Sequence, residues 1–411
     1  MRTILFSLIS LAGQTALAQV TWQQALDQHR WDQAEPLIQA ALRQEETPAL
    51  LRGLATVYRA TGRLADAEAT FEKLIVREET AENVEDLARV KTALVRPGNT
   101  ADLDRAAELY RRSLALRRST DQDQLKSITA HQRLVQIMVA ANKFPEAEAE
   151  AQAAIAIRIR ILGPQHADVA GDMAILARVY QVQKRLGEAA NAWESVLRIQ
   201  EAAFGVDDLK LAASLDNLAA CRQALQQWPQ AEAALRRALA IHEVNQGPQH
   251  AETTQTVDTL AKFLYDRRRF PEAEVLFQRS LAAWTSLLGE DNPLLATSYE
   301  NLAVTEAVLL KYDEAEKLYA VALRLRDFDD VNSLRNLAVV FVEQEKYKEA
   351  EPLYRRALAA LDSPYTTNLE KLPDVLTEYA EVLRKLKRPT DASKMDTRVK
   401  GLAAKQAKAK P

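Results

Sequence analysis

The chain has 411 residues, with 54 Lys and Arg against 57 Asp and Glu, for a net charge of −3. A near-neutral protein of this size lacks the basic footprint that nucleic-acid binding requires. Ala, Leu, Arg, Gln and Glu dominate, while Gly (11), Pro (14) and Cys (one) are scarce. That composition favours helix throughout, and a single cysteine excludes an intramolecular disulfide.

The first 18 residues, "MRTILFSLISLAGQTALA", place Arg2 before an apolar run and end on Ala16-Leu17-Ala18. This is the pattern of a secretory signal peptide. The expected mature chain starts at Gln19 and is exported, periplasmic or secreted. No later apolar run approaches the length of a membrane span, so no stable membrane insertion is expected after cleavage. Cys221 sits in an apolar helical pattern, as a small core residue does.

From residue 19 the chain repeats itself. Gly163, Gly205, Gly247 and Gly289 lie 42 residues apart, as do Leu134, Leu176, Leu218, Leu260 and Leu302, and Ala147, Ala189, Ala231, Ala273 and Ala315. The alanine register continues upstream through Ala106, Ala67 and Ala34 and downstream through Ala350 and Ala392. Three residues before the alanine there is usually a large apolar residue, from Trp31 to Tyr347, and in many units another stands four after it, such as Phe71, Trp193 or Tyr319. A small residue lets two helices approach, and bulky ones fill the grooves beside it. Each unit therefore reads as two amphipathic helices. The second often opens on proline (Pro145, Pro229, Pro271), where the missing N–H costs nothing.

Residues 48–81, "PALLRGLATVYRATGRLADAEATFEKLIVREETA", and 287–325, "LLGEDNPLLATSYENLAVTEAVLLKYDEAEKLYAVALRL", carry the repeat in its short and long forms. It resembles the tetratricopeptide repeat, and the 42-residue units resemble its kinesin-light-chain type. The resemblance implies an all-α, right-handed superhelical solenoid of about ten helix-turn-helix repeats over residues 19–402. A basic disordered tail is expected at 403–411.

Gly-Pro-Gln-His occurs twice, at 163–166 and 247–250. Under the 42-residue period His166 aligns with Asp208, His250 and Asn292, and Pro293 follows Asn292. Asp and Asn are strong helix N-caps, so the histidines are expected to be caps. A metal site fails on geometry, because two repeats put the histidines roughly 16–20 Å apart at ordinary helix spacings. No catalytic motif or phosphate-binding loop is present. The expectation is a non-enzyme with no cofactor and no metal.

The resemblance places partner binding on the concave face, lined by first helices. The residues between the core columns there are Arg178, Asp216, Asn217, Asp258, Lys262, Glu300, Asn301, Arg335 and Asn336. Asn217, Asn301 and Asn336 share one column, where the asparagine either hydrogen-bonds a peptide backbone or makes a helix contact. Asp216, Asp258 and Glu300 share another. It is either a solvated face, with Lys262 offsetting Asp258, or an exposed acidic groove for a basic segment; a more apolar stretch lies around Val304 and Val339. The function expected is a protein-interaction scaffold or adaptor binding a partner protein segment. The alternative is a non-catalytic subunit of an envelope enzyme or polysaccharide-export assembly.

Overall fold

The computed structural model describes residues 22–96, 99–326, 330–362 and 370–409. The expected signal segment, 1–18, lies outside them. All regular elements among the described residues are helices. In chain order they are α1 (22–27), α2 (Trp31–Leu42), α3 (Pro48–Ala60), α4 (Leu64–Arg77), α5 (Ala81–Ala93), α6 (Thr100–Leu116) and α7 (Asp121–Ala140). Then follow α8 (Phe144–Leu162), α9 (Ala167–Val182), α10 (Leu186–Phe204), α11 (Ala212–Ala224), α12 (Trp228–Gln246), α13 (Ala251–Asp266) and α14 (Phe270–Leu288). The last are α15 (Ala296–Val308), α16 (Tyr312–Leu325), α17 (Val331–Glu343), α18 (Tyr347–Leu361), α19 (Leu372–Lys385) and α20 (Pro389–Ala409). Short 3-10 turns, Leu209–Leu211 and Pro293–Leu295, lead into α11 and α15.

Odd-numbered helices are the first of each pair and even-numbered helices the second. Two compact units divide the chain after Val206, α1–α10 in one and α11–α20 in the other. Within each unit an odd helix packs on the even helix that follows it, and that helix packs on the next odd one. The result is an all-α repeat solenoid.

The alanine register sits at the contact. Ala34, Ala67, Ala106, Ala147, Ala189, Ala231, Ala273, Ala315 and Ala350 all have 0% exposure, and Ala392 has 1%. Odd helices supply a matching small column, with Ala55, Ala88, Ala177, Ala219, Ala261, Ala303, Ala338 and Ala380 equally sealed. The bulky residues four positions after the even-helix alanines are buried too, including Phe71, Tyr110, Trp193 and Tyr319. Those three before it, such as Trp31, Phe144 and Trp228, are half-buried. Cys221 is buried in this core.

The joint between pairs is a capping device. His166 Nδ1 accepts from the Asp168 amide at 3.2 Å and His250 Nδ1 from the Glu252 amide at 3.3 Å. Their column partners do the same: Asp208 accepts from Lys210 N at 2.8 Å and Asn292 from Leu294 N at 3.0 Å. Before each of these caps stands a glycine with φ between +84° and +93°, namely Gly163, Gly205, Gly247 and Gly289. L side chains rarely adopt that backbone, which is why the glycine column is so regular.

Even helices start differently. Apart from α6, which Asn99 caps, the N-cap side chains of α2 to α18 make no capping bond to the helix. A basic residue there instead reaches back to the acid beside the small alanine of the previous even helix. The pairs include Arg63–Glu35 at 2.7 Å, Arg185–Glu148 at 2.5 Å, Arg269–Glu232 at 2.6 Å, Lys311–Glu274 at 2.5 Å and Arg388–Glu351 at 2.7 Å. Arg63 also lies over the Tyr58 ring, 4.2 Å from its centroid, and Arg185 over Tyr180 at 4.5 Å. Each such pair lies near the surface, where water and salt weaken it. The same bond is nevertheless repeated in register down each unit.

α20 is helical to Ala409. Val399 and Leu402 still pack against the core. Beyond them Ala, Lys and Gln are strong helix formers, so the helix propagates without an apolar stripe.

Overpacking the sealed column tests this account. Ala231→Leu should cost about 1–3 kcal/mol. Hydrogen exchange should show lost protection in α11–α14, because repeats couple only to neighbours. An even loss from α2 to α20 would refute local coupling. His166→Asn should keep the melting temperature or raise it slightly, asparagine being the better cap. A marked fall would show that the imidazole does more than cap α9.

Candidate partner-binding face

The residues expected to line the binding face all lie on odd helices. Arg178 is exposed on α9, in the first unit. The second unit holds the rest: Asp216 and Asn217 on α11, Asp258 and Lys262 on α13, Glu300 and Asn301 on α15, Arg335 and Asn336 on α17.

The acidic column is not the exposed charge row the sequence suggests. Asp216, Asp258 and Glu300 are half-buried, and each faces a residue 26 positions later, on the even helix of its own pair or just past its end. Asp258 accepts from Trp284 Nε1 at 2.8 Å and from the Ser280 hydroxyl. Glu300 is held by Arg326 at 3.1 Å and by the Ser333 hydroxyl. Asp216 lies within electrostatic reach of the His242 imidazole. Lys262, expected to offset Asp258, is exposed and makes no bond to it.

The same two columns run on into the first unit. Glu85 meets Arg117 at 2.5 Å, with side-chain exposures of only 4% and 6%. Arg52 meets Glu78 at 3.5 Å with the polarity reversed. Gln132 and Arg158 share the buried Asp172, at 2.6 and 2.5 Å. Ala174 offers nothing to its counterpart Gln200, whose buried Oε1 has no hydrogen-bond partner. The column is thus a polar lock between the two helices of a pair. Adjacent like charges repel slightly; Glu85 and Asp258 are bonded within their own pair, Glu300 by Arg326 and by Ser333 of the next pair, and Asp216 has only the His242 imidazole nearby.

Burial is the main reason that the Asp216, Asp258 and Glu300 carboxyls are pushed above their ordinary pKa. Hydrogen bonds from Ser280 and Trp284 pull Asp258 back down, Ser333 and Arg326 pull Glu300, and His242 pulls Asp216.

The asparagine column divides. Asn217 Nδ2 donates to its own helix at Ala213 O, 2.7 Å. Asn336 bonds the buried Tyr319 hydroxyl, whose pKa burial raises. Arg335 next to it is forked onto Glu378 at 2.9 and 3.1 Å. Only the Asn301 side chain has no partner among the described residues. It opens into a groove of about 710 Å³ between α13 and α15, lined also by Gln255, Lys262, Phe263, Asp266, Trp284 and Thr297. Farther along α15 a second, apolar hollow of about 300 Å³ is lined by Val304, Val308, Leu310, Tyr312 and Val339. Thr297, Asn301, Val304 and Val308 follow one helical face at spacings of 4, 3 and 4. Among the described residues, no group of three His, Cys, Asp or Glu side chains is placed to hold a metal ion, and no helix is long and apolar enough to cross a membrane.

The helix pairs and the open odd-helix face define an α-helical repeat scaffold. Family models described as tetratricopeptide repeat match residues 23–83, 128–168, 170–243, 250–327 and 333–368, together well over half of the chain. The chain belongs to the tetratricopeptide repeat family. Among solved structures it is similar to BtubC (BKLC) from P. vanneervenii, with 24% identity over 56% of this chain and 89% of that one, TM-score 0.46. It is similar also to a putative kinesin light chain with TPR-like repeats from Podosopora anserina, with 22% identity over 49% and 96%, TM-score 0.44. A third is pilF of Pseudomonas aeruginosa, with 18% identity over 57% and 93%, TM-score 0.41. No curated protein matches the chain.

The locks differ in depth, and so should their loss. Glu85→Ala leaves the buried Arg117 guanidinium with only the exposed Glu82, at 3.3 Å, and should cost about 2–3 kcal/mol. Glu300→Ala frees Arg326, 30% exposed, and should cost only about 1 kcal/mol. Equal losses in denaturant titrations would contradict the lock.

The raised Asp216 carboxyl gives a pH signature. Its folded pKa exceeds its unfolded one, so the folded state holds the proton longer, and stability falls as pH rises from about 4 through the folded value. Asp216→Asn should match the wild type below pH ~4 and be the more stable at neutral pH. Unfolding curves for the two that run parallel from acid to neutral would rule this out.

Proposed function

We propose that the chain is an exported, non-catalytic scaffold or adaptor that holds an extended segment of a partner protein along the odd helices of its second unit. Tetratricopeptide repeats form protein-interaction scaffolds, and the matched models cover both units. The observation that carries the reading is Asn301. Its carboxamide is half-buried, without a partner, and open to a groove wide enough for a peptide. A carboxamide offers one acceptor and two donors, which is what a backbone amide needs to be held in both directions. Lys262 on the facing helix, likewise unpartnered, supplies a cation for a carboxylate of the segment. Asp216, Asp258 and Glu300 act from behind, fixing the odd helices at a constant distance from their even partners. Export rests on the Arg2, apolar-run and Ala-Leu-Ala pattern of residues 1–18.

A photo-crosslinking residue at 301 in the native compartment should capture one discrete partner. The same residue at Arg237, on an even helix, should not. Asn301→Ala should weaken that association about five- to tenfold, the worth of one hydrogen bond, without changing the melting temperature. Identical adducts from both positions would sink the groove reading. N-terminal sequencing of exported material should begin at Gln19; a chain retaining Met1 would refute export by this signal.

A further inference from the structure

The apolar end of α15 departs from the repeat in a way that the fold does not require. The turn inside a helix pair passes through one residue in the left-handed region, and its other occupants are glycine or polar, among them Gly62, Asn142, Lys184, Gln226, Arg268 and Glu345. Leu310, at φ 63°, is the aliphatic exception among those described. An L side chain in that region is held against steric repulsion. Leu310 gains no burial in return, being 70% exposed, and Val308 beside it is 42% exposed. Both face the hollow of about 300 Å³ that Val304 and Val339 also line. That volume is at the small end for ligand pockets and suits one side chain.

Glu343 lines the hollow, and Asp266 lines the neighbouring groove. Five residues after the sealed alanines Ala261, Ala303 and Ala338 stand Asp266, Val308 and Glu343. The two acids are exposed and have no ion-pair partner among the described residues, although most acids of the binding face are tied to a helix of the protein. An apolar position on α15 is therefore flanked on α13 and α17 by uncompensated carboxylates.

We propose that this hollow is the anchor pocket of the partner groove, taking an aliphatic side chain of an extended segment that carries a lysine or arginine two residues to either side. It rests on the groove reading given above. In an extended chain residues i, i+2 and i+4 share a face, with successive members about 6.6 Å apart. Packed helices are about 8–10 Å apart, and a lysine stem spans the difference. The aliphatic group then covers Val304, Val308 and Leu310, while the two cations meet Asp266 and Glu343.

The probe is a synthetic heptapeptide, acetyl-Gly-Lys-Gly-photoleucine-Gly-Lys-Gly-amide, irradiated with the full chain and mapped by mass spectrometry. Adducts should concentrate at 304–312 and 336–343. Val308→Asp, a change at an exposed position, should lower the yield about tenfold by placing a charge against the aliphatic group. Glu343→Lys should lower it about three- to fivefold, and a peptide with both lysines replaced by glutamate should fail to label. Circular dichroism of both variants should match the wild type. Adducts confined to Lys262 and 297–301 would overturn the anchor pocket and leave the groove reading standing. Adducts scattered evenly over the chain, or a yield unchanged in both variants, would overturn both.

Discussion

Close approach of two helices at a residue with no side chain beyond Cβ is the constraint on which the rest of this structure depends. Ten even helices carry it, from Ala34 to Ala392, with exposures of 0–1%. Once that distance is fixed, the grooves beside the alanine have one size. Phe71, Tyr110, Trp193 and Tyr319 can then exchange across repeats with no other change in design. The same fixed spacing lets a polar bond of fixed length recur. The Arg63–Glu35 type of contact and the Glu85–Arg117 type both connect positions whose separation the alanines determine.

Two kinds of polar contact therefore do different work. Bonds from the even-helix N-cap to the preceding even helix join one repeat to the next and lie near the surface, where salt screens them. Locks between the two helices of one pair differ in depth, and their energies differ with burial, greatest for Glu85–Arg117, smaller for Glu300–Arg326 and least for Arg52–Glu78. An exposed partner returns to water when its bond is lost, whereas a buried one cannot. Repeats in a solenoid can thus differ in stability although their backbones are alike.

Much of the fold was legible because its causes are local and periodic. The alanine register, the Gly163 column and the capping column of His166 and Asn292 each follow from one residue type meeting one backbone need. The helix propensity of Ala, Lys and Gln carries α20 on to Ala409. The odd-helix positions of the candidate residues were legible, and their chemistry less so. Asp216, Asp258 and Glu300 look like a row of charges when odd helices are compared only with one another. Aligning the even helices as well would have revealed His242, Trp284 and Arg326 opposite them, and Arg52 with Glu78 as the inverted pair. Whether an asparagine amide is free is a matter of three-dimensional contact. No spacing rule separates Asn301 from Asn217 or Asn336.

In a repeat protein, residues that recur in register are accounted for by the fold, since every repeat needs the same approach, cap and turn. Recognition of one partner needs the reverse, a place where neighbouring repeats differ. In the second unit those departures gather on one helix. Asn301 lacks the bond that Asn217 and Asn336 make, Leu310 stands where other turns carry glycine or polar groups, and Val308 separates two acids of its own column. None of these improves packing of α15, and the leucine works against the backbone it occupies. Departures that cost the fold something and face one continuous strip from Thr297 to Val308 are what the proposed partner, rather than the solenoid, accounts for.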